Sequence, residues 1–89
     1  MLNATNVKDK VVLVTGATGG IGRQICITLA KHQAIPIIHY NSNIERADAI
    51  LNEISDLGIT SMKVKADIRK EDEVKKLIKT IREAYGRID

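Results

Sequence analysis

A chain of 89 residues, 44% apolar and 28% charged, has room for one small globular domain, and this composition excludes a disordered tail. No run approaches the roughly 18 consecutive apolar residues of a membrane-spanning helix, and Met1 to Asn6 lacks the basic and apolar regions of a secretion signal. A cytoplasmic protein without membrane partners is expected. The net charge of +3 arises from Lys and Arg interleaved with acids, and with no Trp or Phe there is no stacking platform for bases. Nucleic-acid binding is therefore not expected.

In chain order, Val11 to Thr15 is continuously apolar and β-branched, the pattern of a strand covered on both faces. Helical spacing of Ile25, Leu29 and Ala30 predicts a helix from Ile21 to about His32. Ile35 to Tyr40 reads as a second strand, with Pro36 tolerable only near its start or where its missing N–H faces no partner. Ser42-Asn-Ile-Glu45 has capping-box spacing and predicts a helix whose inward stripe is Ala47, Ile50, Leu51, Ile54 and Leu57, closed by Gly58. Met62, Val64 and Ala66 alternate with Ser61, Lys63 and Lys65, as in a half-exposed edge strand. A third helix is predicted from about Lys70 to Tyr85, with Val74, Leu77, Ile78, Ile81 and Tyr85 inward and Gly86 ending it.

Three strand–helix units with short loops imply right-handed crossovers and a parallel sheet of order 3-2-1, the N-terminal half of a Rossmann-type doubly wound α/β fold spanning residues 1–89. Between the first strand and first helix stands Thr15-Gly-Ala-Thr-Gly-Gly-Ile-Gly22. Glycines there allow close backbone approach, and open N–H groups with the helix dipole favour a phosphate. A nucleotide is the expected ligand.

The chain resembles the short-chain dehydrogenases and reductases. Thr15-Gly16-Ala-Thr-Gly-Gly20-Ile-Gly22 is similar to the family's TGxxxGxG turn, Ala66-Asp67-Ile68 follows the third strand, and Tyr85-Gly-Arg-Ile-Asp89 is similar to the lead into a fourth strand. Gly16, Gly19 and Gly22 also satisfy the spacing of the extended, epimerase-like branch, but Asp67 before a long charged helix and Gly-Arg-Ile-Asp resemble the single-domain reductases, with bacterial 3-oxoacyl-carrier-protein reductases nearest. The resemblance implies that Gly16, Thr18, Gly19, Gly20, Ile21 and Gly22 hold the pyrophosphate and adjoining ribose of a nicotinamide dinucleotide. It also implies that Asp67 accepts from the adenine amino group and that Ile68 packs against the ring.

An NAD site places Asp or Glu about 20 residues beyond the glycines. Here His39-Tyr-Asn-Ser-Asn43 fills that place. Asn41, Ser42 and Asn43 can donate to a 2′-phosphate, with Arg46 one turn on, so NADP is preferred over NAD. Gly19 stands where NADP-using members often have a basic residue, Gln33 where the family often ends its first helix with glycine, and Arg69 where it often has a capping Ser or Thr. His32 and His39 read as a helix end and a strand residue rather than ligands, and no metal site is expected. Cys26, unpartnered, reads as a buried small hydrophobe.

Family members carry their catalytic Ser, Tyr and Lys further along. Tyr40 and Tyr85 are followed four residues on by Ile44 and Asp89, so neither fits the Tyr that precedes a Lys at that spacing. No catalytic residue is assigned, and the chain alone is expected to be inactive. Three readings stand: the nucleotide-binding portion of an NADP-dependent oxidoreductase, a non-catalytic nucleotide-binding or regulatory module, and an interaction fragment that assembles with a partner. An open edge on the first strand further predicts homo-oligomers.

Overall fold

The computed structural model describes residues 7–89, so the reading of Met1 to Asn6 lies outside the described residues. The elements are β1 (Val11–Val14), α1 (Gly20–Lys31), β2 (Ile35–Tyr40), α2 (Ile44–Asp56), β3 (Lys63–Lys65) and α3 (Glu71–Tyr85). All pairings are parallel, and β2 lies between β1 and β3, which is the order 3-2-1 read from the other edge.

Side chains alternate across the sheet and build two cores. Val14, Ile38 and Tyr40 pack with Cys26 and Leu29 of α1 and Ala47, Ile50 and Ile54 of α2. Val11, Ile37 and Val64 pack with Leu77 and Ile81 of α3 on the opposite face. This is why β2 reads as a nearly unbroken apolar run. Pro36 fits the middle strand because the N–H groups facing β3 begin at Ile38, bonded to Met62 O at 3.0 Å. The same side at Pro36 lies before β3 starts, and the Ser61 hydroxyl donates to the Pro36 carbonyl.

Crossing from one face to the other brings the chain back past β1. Asp89 N–H donates to Val11 O at 2.7 Å, and Val11 N–H donates to Asp89 Oδ2 at 2.8 Å. The polypeptide has thus gone from β1 through β2 to β3 and returned to the outer edge of β1. The glycine turn, at the C-terminal end of β1, sits where these two directions diverge, the place at which doubly wound sheets bind ligands.

Several sequence expectations are corrected. Ile25 is 45% exposed, and the inward face of α1 is instead Gly22, Cys26, Leu29 and Ala30. Leu57 is 42% exposed because α2 ends at Asp56 and Leu57 is already its cap. Asn43, not Ser42, caps α2: its Oδ1 accepts from Arg46 N–H at 3.1 Å. Both residue types cap well, and the helix begins one residue later than the capping-box reading placed it. The predicted start of the third helix at about Lys70 becomes its cap, which makes no side-chain bond, and α3 begins at Glu71.

Candidate functional site

The turn after β1 is shaped by two glycines with different tasks. Gly16 has φ +63°, a left-handed conformation that only glycine adopts without penalty. At Gly22 a Cβ would stand 2.5 Å from Gly16 O and 2.7 Å from Ala17 Cα, so the helix could not close onto the turn. Within the turn, Gly19 N–H donates to Gly16 O at 3.2 Å, and Arg23 N–H donates to Gly19 O at 2.9 Å as the first bond of α1. Gly19 caps the helix with no side-chain bond. The N–H groups of Gly20, Ile21 and Gly22 consequently have no partner among the described residues. Three open donors at a helix N-terminus, with the helix dipole behind them, are an arrangement that favours an anion.

Beside this turn is a pocket walled by Gly16 and Thr18 on one side, Asn41 at the end of β2, and Asp67, Ile68 and Arg69 after β3. It brings together Gly16, Thr18, Asn41, Asp67 and Ile68 of the predicted residues, whereas Gly20 and Ile21 line a separate groove along α1 with Gln24, Ile25 and Thr28. Ser42 and Asn43 lie exposed just beyond Asn41, and the Asn43 carbonyl oxygen is already engaged in capping α2. Ile21 projects from the first turn of α1 with 81% exposure, and Ile68 is 52% exposed. No carboxylate stands at the end of β2, and Arg46 is exposed nearby.

Asp67 is held by its neighbours. Arg69 donates through its backbone N–H (3.1 Å) and Nε (3.0 Å) to Oδ1, and through Nη2 (2.9 Å) to Oδ2. The Arg69 side-chain hydrogen bonds, followed by its backbone N–H, bring the Asp67 pKa down to about 2. A carboxylate has about four lone-pair positions. Arg69 takes three, so Oδ2 keeps one for an incoming donor. Glu73, in the first turn of α3, accepts the Asp67 N–H at 2.9 Å and fixes the backbone of this wall. Sequence reasoning assigned no role to Glu73 or Arg69 here; the short spacing of Asp67, Arg69 and Glu73 about a helix start was the available signal.

His39 was also missed as a contributor. It is 3% exposed; Gly16 N–H donates to its Nδ1 at 3.0 Å, and its Nε2 lies 2.8 Å from the Ala66 carbonyl. Among the described residues no group of side chains is placed to hold a metal ion.

A family profile described as short chain dehydrogenase matches residues 10–89. The chain belongs to the short-chain dehydrogenase family. It is 37% identical over 81 residues to the 3-oxoacyl-(acyl-carrier-protein) reductase FabG of Staphylococcus epidermidis, covering 91% of this chain and 33% of that protein. It is 41% identical over 84 residues to a hydroxynaphthalene reductase-like protein of Metarhizium acridum, covering 94% and 32% respectively. Among solved structures, a dehydrogenase-type protein from Burkholderia cenocepacia with bound NADP superposes with TM-score 0.86 at 31% identity, over 93% of this chain and 32% of the other. The reductase LugOII, which catalyses keto-reduction at C1 during lugdunomycin biosynthesis, superposes with TM-score 0.79 at 30% identity, over 91% and 35%. This short-chain dehydrogenase sequence therefore spans about a third of the length of the relatives it matches.

Proposed function

We propose that residues 1–89 are the dinucleotide-binding portion of an NADP-dependent short-chain oxidoreductase that in full length exchanges a hydride with a carbonyl or alcohol, 3-oxoacyl thioesters being the first substrate class to try. The observation that carries this reading is the set of three open N–H groups at the α1 N-terminus, located at the switch point of the sheet. In this reading Gly16, Thr18, Gly19, Gly20, Ile21 and Gly22 hold the pyrophosphate and ribose. The free lone pair on Asp67 Oδ2 takes the adenine amino group, and Ile68 lies along the ring. Asn41, Ser42 and Asn43 meet the 2′-phosphate, which no carboxylate repels. The nicotinamide supplies the hydride when bound, and the proton relay and substrate site belong to the remainder of a full-length protein. We also read the protein as cytoplasmic and homo-oligomeric.

Calorimetry with 2′,5′-ADP and AMP tests the cofactor assignment. The wild-type chain should bind 2′,5′-ADP more tightly, and Asn41→Asp should reverse the order by charge repulsion. Equal affinities before and after the substitution would remove the case for NADP. The 89-residue chain itself should not oxidise NADPH with a panel of ketones and 3-oxoacyl thioesters, because neither Tyr40 nor Tyr85 is followed four residues on by a Lys to make the proton relay. Turnover by protein of confirmed mass would contradict this.

A further inference from the structure

We infer that His39 is a positioning residue of the nucleotide pocket, its imidazole locked in a single neutral tautomer that holds the glycine turn and the end of β3 at a set spacing. This inference rests on the nucleotide-binding reading above. A backbone N–H can only donate, so Nδ1, which receives Gly16 N–H at 3.0 Å, must present its lone pair. A carbonyl can only accept, so Nε2, 2.8 Å from Ala66 O, must carry the proton. The opposite tautomer would set N–H against N–H on one side and lone pair against lone pair on the other.

The same residue also binds the turn through its backbone, since the His39 carbonyl accepts Ala17 N–H at 3.1 Å. Two consecutive amides of the turn thus end on one residue of β2. That withdraws Gly16 and Ala17 from the donors available to a ligand and leaves the amides from Gly20 onward to meet it. At the other nitrogen, Ala66 directly precedes Asp67 and Ile68, which make the purine side of the pocket. The sheet ladder ends at this point, since β3 stops at Lys65 and its last tie to β2 is Ala66 N–H to Tyr40 O at 3.2 Å, so the His39 side chain braces the last residue that the ladder holds. Among the described residues no other hydrogen bond chain of a single side chain joins the turn to the end of β3.

Two substitutions separate the halves of this bracket. Asn places an acceptor near the Nδ1 position but cannot reach Ala66, whereas Gln can carry a donor to the Nε2 position but presents nothing to Gly16. His39→Gln should weaken inorganic pyrophosphate binding about 5- to 10-fold and leave adenosine unchanged, and His39→Asn should do the reverse. Amide-shift titrations of the 89-residue chain would read both, with circular dichroism to check folding. Losses equal at both probes, or absent at both, in folded variants would overturn the inference while leaving the nucleotide reading intact. A wild-type chain that binds neither probe would sink that reading and this one together. Should a variant unfold, imidazole 15N shifts of the wild type decide. A pyridine-like Nδ1 that moves on addition of pyrophosphate upholds the bracket; a pyrrole-like or unresponsive Nδ1 overturns it.

Discussion

Asp67 illustrates how one residue's neighbours set what it can do. Its carboxylate is ionised further into acid than an ordinary Asp, because Arg69 bonds the charged form through side chain and backbone. The native pKa is depressed, so whatever this ionised group contributes to stability is present above the ordinary carboxylate value of about 3.9 and is lost as pH falls toward about 2. Carboxyl 13C shifts followed through an acid titration should show Asp67 titrating near 2, and Arg69→Ala should move it up toward the ordinary range. An unchanged midpoint in the variant would mean that Arg69 is not the cause. The candidate role of Asp67 was legible from its place after the third strand. Its pairing was not, because two residues that can interact locally announce this only when the turn between them is seen.

The helix ends were partly legible and partly not, and α1 shows why. Gln33 N–H donates to Ala30 O at 2.9 Å and Ala34 N–H donates to Leu29 O at 3.0 Å, the paired bonds of a Schellman motif. Gly58 and Ile59 make the same pair at the end of α2, onto Ser55 O and Ile54 O. The position after each cap is left-handed, with φ +87° at Gly58 and φ +65° at Gln33. A side chain there is strained, while glycine would add flexibility to the unfolded chain. Gln33→Gly should therefore stabilise the fold by about 0.5–1 kcal/mol, the strain relief exceeding the entropy penalty. Urea denaturation would measure this, and a neutral or destabilising result would mean that Gln33 makes compensating contacts. The stop signal at Gly58 could be read from residue type alone. The stop at Gln33 was visible only as a departure from a family pattern, since Gln carries no preference for this conformation. Likewise Ile25 fitted the apolar spacing of α1 but faces outward, because that helix has apolar residues on two faces and spacing cannot say which one meets the sheet.

At the scale of the whole molecule, β1 and β3 are both edge strands, but β3 carries Lys63 and Lys65 whereas β1 is apolar throughout. Asp89 covers its outer edge only at Val11, while Leu13, two residues on, points its N–H and C=O the same way. Val12 and Leu13 are half-buried, and Ile21 and Ile25 are exposed on the neighbouring helix. An open parallel-sheet edge beside apolar side chains is a template for pairing between chains, and small domains have little stability to offset it. The 89-residue chain is expected to self-associate through β1 edges related by a two-fold axis. Light scattering with circular dichroism over a concentration series would test this. A well-folded monomer persisting at high micromolar concentration would show the edge to be protected.

The order of strands and helices, the parallel sheet and the glycine turn follow from the sequence alone, because apolar periodicity and glycine placement are local properties of the chain. So does the family, carried by Thr15 to Gly22, Ala66 to Ile68 and Tyr85 to Asp89. What only the tertiary structure decided are the relations between strand ends: His39 standing between Gly16 and Ala66, Asp67 held by Arg69 and Glu73, and Asp89 closing on Val11. Hydrogen bonds between residues 23, 27 and 78 positions apart leave no periodic trace in the sequence. They depend on directions and distances that exist only after both cores have packed the sheet between its helices.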